Sequence, residues 1–181
     1  MHIQSIGAGI YSDLSISTAP VDQAAVDALI LDPSNGTTGF PSRFGTGEFE
    51  RVQNIREFPS MGTPPNIVNV PVYGQASSQQ IQGQSDAPSM EITLNFVPSD
   101  WADGETLGDM VGNGLQYVFR FTMMNAEPSD FVEGAFGCQN SMYYWVGKIE
   151  ALQVNPQLTD ANTAVISITI QSDFYGAYTS V

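Results

Sequence analysis

"SMEITLNFVP", residues 89–98, alternates without a break: Met90, Ile92, Leu94 and Phe96 fall on one side of an extended chain, and Glu91, Thr93 and Asn95 on the other. A period of two marks a half-buried strand, because successive side chains of extended backbone point to opposite faces. "NTAVISITIQSDF" (162–174) repeats the pattern, with Ile166, Ile168 and Ile170 set against Ser167, Thr169 and Gln171. "LQYVFRFTMM" (115–124) places Tyr117, Phe119, Phe121 and Met123 opposite Val118, Arg120 and Thr122. "SMYYWVGKIEALQVNP" (141–156) is aromatic and β-branched at its start and stops at a proline, and "NPQLTDAN" makes a hairpin connection to the next strand. These four segments predict an antiparallel sheet system that keeps one polar face.

Helices are scarce by the same reading. "SDWADGETLGDMVGN" (99–113) offers Ser99 or Asp100 as an N-cap and sets Trp101, Leu107, Met110 and Val111 roughly on one side. Gly104 and Gly108 weaken it, so it predicts a short helix covering one opening or face of the sheet. "PVDQAAVDALIL" (20–31) has helical spacing at Val21, Ala24, Ala25, Ala28 and Leu29, in competition with a strand ending over residues 29–31.

The stretch 32–89 is harder to house. Residues 32–47 hold Gly36, Gly39, Gly45 and Gly47 with Pro33 and Pro41, and read as loop. "EFERVQNIREF" (48–58) carries strand-like Phe49, Val52, Ile55 and Phe58. "FPSMGTPPNIVNVPVYG" (58–74) fits neither period, and "QASSQQIQGQSDAPS" (75–89) is polar and nearly uncharged. Structureless loops beyond about 15 residues are uncommon in one compact domain. Phe58, Met61, Ile67, Val68, Val70, Val72 and Tyr73 are nonetheless too apolar for a solvated linker, and they call for a surface to lie on. Residues 1–181 are therefore expected to form one domain, with 32–89 an extended loop or arm that includes a strand near 48–58 and is either disordered or folded against a surface elsewhere.

Composition narrows the function. The chain has 181 residues, 42% hydrophobic and 13% charged, with 19 acidic residues against 5 basic ones and a formal net charge of −14. Affinity for polyphosphate comes from Lys and Arg displacing counterions, which argues against a protein that grips nucleic acid or an anionic membrane. An acidic wall does suit a protein that must let nucleic acid pass, and solubility alone is the equally good plain reading of the same charge. Cys138 is the single cysteine, so no intrachain disulfide can form. "MHIQSIGAGIYSD" has no basic start followed by a long apolar run, and no window reaches membrane-span length, so synthesis in a cytoplasm is expected.

Catalytic chemistry has little to draw on. His2 is the only histidine and sits in the N-terminal segment, so nucleophile–histidine arrangements have almost nothing to draw on, and one His with one Cys is too few for a zinc site of the usual kind. No metal and no cofactor is expected, and "GAG" at 7–9 reads as a turn. Asp100, Asp103, Glu105 and Asp109 crowd a short stretch that suits a helix start better than a cation site or a glycosidase pair. Asp130 and Glu133 around Phe131 read as a solvated loop. Trp101, Trp145, Tyr143 and Tyr144 suggest a sugar-stacking platform only if exposed, and on strands such residues usually pack.

The order of parts over residues 48–174 resembles the major tail tube proteins of long non-contractile bacteriophage tails. The resemblance is carried by the Gly/Pro-rich excursion, "QQIQGQSDAPSMEITLNFVPSDW", "GETLGDMVGNG", "QYVFRFTM", "YYWVGKIEALQVNP" and "TAVISITIQSDF". It implies a mainly β fold: a two-sheet β-sandwich or half-barrel with one flanking short helix and a long extended loop, oligomerising into a ring-shaped β-barrel. It further implies six-membered rings stacked into a tube in the virion, assembled in the host cytoplasm, with the arm over residues 32–89 finding its partners on adjacent copies. A tape-measure protein would fill the lumen, tail terminator and tail-tip proteins would close the ends, and DNA would pass without specific binding. Glu91, Asn95, Glu150 and Ser167, on polar faces or strands, are the candidates for pointing into that lumen. The rival readings are a carbohydrate-binding β-sandwich module and an acidic enzyme using Asp100 and Asp103.

Overall fold

The computed structural model describes residues 9–35, 37–45, 49–62, 67–70, 73–74, 79–82, 89–129 and 138–179. Its strands are β1 (Asp13–Ser17), β2 (Phe49–Arg51), β3 (Ile55–Glu57), β4 (Ile67–Val70), β5 (Gln79–Gln82), β6 (Ser89–Asn95), β7 (Tyr117–Met124), β8 (Asn140–Asn155), β9 (Thr163–Ile170) and β10 (Tyr175–Tyr178). The helices are α1 (Gln23–Leu31) and α2 (Thr106–Met110), supplemented by short 3-10 turns.

One antiparallel sheet runs in the order β2-β1-β7-β8-β9-β6-β3, with β10 on the side of β8, while β4 and β5 form a separate hairpin. The two ends of that order, β2 and β3, are separated in sequence only by residues 52–54. A sheet whose first and last strands are so tethered has to curl back on itself, and the result is a half-barrel. Of the sandwich and half-barrel forms expected, the single curled sheet is the latter. The backbone marks the closure: Val52 N–H donates to the Leu14 carbonyl on one side, and Asn95 N–H donates to the Asn54 carbonyl on the other.

Residues 48–58 are therefore two short strands where the apolar spacing suggested one. Asn54 divides them, with φ of 61°. Asparagine tolerates this left-handed conformation better than most residues with a side chain, and it redirects the chain from one sheet edge to the other.

Inside the curl lie the residues that the period of two selects, Met90, Ile92 and Leu94, Tyr117, Phe119 and Phe121, and Ile166, Ile168 and Ile170, joined by Leu14 and Ile16 of β1. Each fully buried aliphatic or aromatic side chain contributes about 1.5–3 kcal/mol of transfer free energy. Phe119 and Trp145 stack at 5.5 Å with their planes 7° apart. Leu107 and Met110 of α2, with Trp101 and Val111, pack against this core. The helix covers an opening as expected but is shorter, because Gly104 adopts φ of 89° and breaks the run. Neither Ser99 nor Asp100 caps it; residues 98–101 form a separate 3-10 turn.

A second cluster covers the outside of β1, β7 and the first part of β8. Val26 and Leu29 of α1, with Phe40 and Phe44 from the loop expected over 32–47, bury Val118, Met142, Tyr144 and Val146. The helical reading of 20–31 prevails over the strand because Asp22 caps α1, accepting from the Ala25 N–H at 2.8 Å, and Leu29 turns inward. This cover corrects the expectation that Val118, Arg120 and Thr122 line a polar face. Arg120 is fully buried, with its guanidinium carbon 4.5 Å from the Phe44 ring centre and 4.8 Å from that of Phe49. Cation–π attraction of this kind is strongest where water is excluded.

Candidate assembly surface

With β7 covered on both faces, the sheet has one polar face left among the described residues, on β6, β9 and the far half of β8. Register places Glu91 directly opposite Ser167 and Asn95 opposite Thr163, while Ser167 also pairs with Ala151. Glu91, Thr93 and Asn95 alternate with buried Met90, Ile92 and Leu94, so one face carries them all. A register shift between Ile149 and Ala151 sets Glu150 outward beside Ser167 as an extra, exposed residue. The structure thus brings Glu91, Asn95, Glu150 and Ser167 together, although sequence periodicity alone could not say which sheet face stays open.

Sequence reasoning missed three members. Lys148 lies opposite Thr169 on this face. Arg56 and Glu57 sit at a second register shift, where Ile55 pairs with Leu94 and Glu57 with Thr93, and both charged residues are exposed. The signal was in the sequence as two adjacent charges between apolar Ile55 and Phe58, but only the bulge puts both on the outside.

Among the described residues the sheet also ends in two unfilled margins. β7 pairs with β8 no further than Gly147, and beyond it the Gly112 N–H takes the Ile149 carbonyl. Past that point, among the described residues, β8 to Asn155 has strand pairing only toward β9. On the far side, among the described residues, β3 is paired only to β6. A groove of about 650 Å³ lined by Ile10, Ser12, Asp13 and residues 51–58 runs alongside it.

The residues assigned to an arm divide into two groups. Phe58 and Met61 pack against their own core, and the Phe58 ring meets Phe121 edge-on at 4.7 Å. Ile67, Val68 and Val70 belong to β4, which pairs in register with β5 from Ile67 opposite Gln82 to Val70 opposite Gln79. Tyr73, in the turn of that hairpin, is fully exposed. Val72 lies outside the described residues, as do His2, Asp130, Phe131 and Glu133.

Other candidates do not form a reactive centre. Asp103, Glu105 and Asp109 are exposed and Asp100 half-buried, with Asp109 accepting from the Gly104 N–H at 3.0 Å. Among the described residues no group of three or more His, Cys, Asp or Glu side chains is placed to hold a metal ion. Trp145 and Tyr144 are fully buried, and Trp101 and Tyr143 pack on the inner core, so these aromatics make no exposed platform. Cys138 is a half-buried free thiol packed against the outer cluster. Among the described residues no helix is long and apolar enough to cross a membrane.

The chain is similar in fold to the SPP1 tail tube, solved by solid-state NMR and cryo-EM. The superposition has a TM-score of 0.54 and 14% sequence identity, and covers 94% of this chain and 80% of the other. No protein-family model matches the sequence, and no curated protein matches it.

Proposed function

We propose that a chain with the fold of the SPP1 tail tube, and with an open polar sheet ending in two free margins, is a structural protein of a phage tail tube. Six copies close into a ring in which the polar sheets join as one barrel around a lumen, and rings stack into the tube. Closure through neighbours removes strand edges that would otherwise template aggregation, and head-to-tail contacts that do not close generate a filament.

Glu91, Asn95, Glu150 and Ser167 face the lumen in this reading. Carboxylates there repel phosphate, and amide and hydroxyl groups keep the wall wet, so DNA passes without a site to hold it. A tape-measure protein occupies the lumen before ejection, and terminator and tip proteins close the two ends. The protein resides in the virion tail after assembly in the host cytoplasm, acts without catalysis, and uses residues 1–181 as one tail-tube domain. The part of 32–89 that reaches other copies is the stretch beyond Met61, carrying Ile67, Val68, Val70, Val72 and Tyr73.

The observation that carries this reading is the uncovered polar sheet on a half-barrel whose other outer face is sealed by α1 and residues 40–44. Electron microscopy of the concentrated protein tests it. Rings or tubes with an open bore are expected, and a monomer that persists at every concentration refutes it.

A further inference from the structure

Copies of a chain with a net charge of −14 repel one another, so the placement of its 5 basic residues matters for any self-assembly. Arg120 is buried and Arg51 is committed to Asp13 at 2.7 Å. Arg43 lies in the 40–44 turn, on the sealed side of the sheet. The remaining two, Arg56 and Lys148, both belong to the open polar sheet, Arg56 on the last strand β3 and Lys148 on β8 where its pairing toward β7 ends. Each sits within two residues of a carboxylate on the same strand, Arg56 beside Glu57 and Lys148 near Glu150. Among the described residues none of these four side chains makes an ion pair within its own chain.

Direction completes the match. Along β8-β9-β6-β3 every neighbouring pair is antiparallel, so β3 runs opposite to β8. Rotating a copy about a central axis preserves that relation, and the β3 margin of one copy therefore meets the β8 margin of the next in antiparallel sense. In that sense the order Arg56-Glu57 opposes the order Lys148-Glu150 with unlike charges facing.

We propose that the seam between neighbouring copies joins the edge of β3 to β8 where its pairing toward β7 ends, with Arg56 against Glu150 and Glu57 against Lys148. This rests on the ring reading above and specifies its interface. The groove along β3 leaves room for the incoming strand. Exposed ion pairs contribute little affinity individually, so their role at the seam is to set register and reject misaligned partners, since facing like charges cost more than facing unlike charges gain.

Charge reversal tests the seam, read by sedimentation and electron microscopy, with circular dichroism confirming that each variant is folded. Glu150→Lys and Arg56→Glu are each expected to raise the critical concentration for assembly about tenfold, and the double reversal to restore it. Asp27→Lys on α1 changes net charge by the same amount as Glu150→Lys and is expected to assemble at least as readily as wild type, since it relieves overall repulsion. Single variants that form tubes as the wild type does, or a double variant no better than the singles, overturn the seam while leaving the tube reading intact. A wild-type protein that never assembles overturns both.

Discussion

Replacing Phe58 by alanine separates the body of the protein from its arm. A fully buried phenylalanine costs about 3–5 kcal/mol when truncated. Phe58 is half-buried against the inner core, with its ring edge on Phe121 at 4.7 Å, so the expected loss is about 2 kcal/mol, including the aromatic pair. For a chain of this length that corresponds to a fall in Tm of roughly 4–8 °C. Tyr73→Ala removes a side chain with no burial, and its folding stability is expected to stay within about 0.5 kcal/mol of wild type. Urea unfolding below the assembly concentration, followed by the fluorescence of buried Trp145, measures both. The same variants are then scored for tube formation, where Tyr73→Ala is expected to be the defective one. A Phe58→Ala protein with an unchanged midpoint that fails to assemble would refute the division at Met61 and return Phe58 to the arm.

Gly147→Ala is expected to destabilise the fold by about 1–3 kcal/mol in the same urea assay, because a Cβ there would meet the Thr169 carbonyl at 2.9 Å, backbone that cannot yield. Asp13 is buried, accepts from Ser15 Oγ and holds Arg51 at 2.7 Å, joining β1 to β2. A double-mutant cycle over Asp13→Ala and Arg51→Ala should show a coupling of about 1–2 kcal/mol, Arg51 being one third exposed, and a coupling near zero would remove the pair from the closure. Burial raises the Tyr175 phenol above its ordinary 10.0, helped by the charge of Asp173, and burial raises Tyr178 as well. Their contribution is complete below pH 10.0 and is lost as pH rises through the higher folded values, so alkaline unfolding monitored by phenolate absorbance should flatten in Tyr175→Phe and Tyr178→Phe.

The inner core was legible because it obeys a period of two. Met90, Ile92, Leu94, Ile166, Ile168 and Ile170 could be assigned to one side from spacing alone, and they are the residues inside the curl. The outer cover was not, because Phe40 and Phe44 sit in a Gly/Pro-rich stretch with no period, and their burial depends on Arg120 and Tyr144, some 75 or more residues further along the chain. The polar face was half-visible: alternation gave Glu91 and Ser167 a side, but the open side is defined by where α1 does not reach. Arg56 and Glu150 owe their positions to bulges, and a single extra residue in a strand leaves no mark on hydrophobic periodicity.

Residues 52–54 tie the first strand of the sheet to the last, so each subunit draws its own loop shut before meeting another. The margins left over for company carry no tally of how many neighbours may join. That count is settled by the angle at which one polar panel leaves the next, and the twist and bulges of β3 and β8 are where a small change in sequence would widen or narrow the bore.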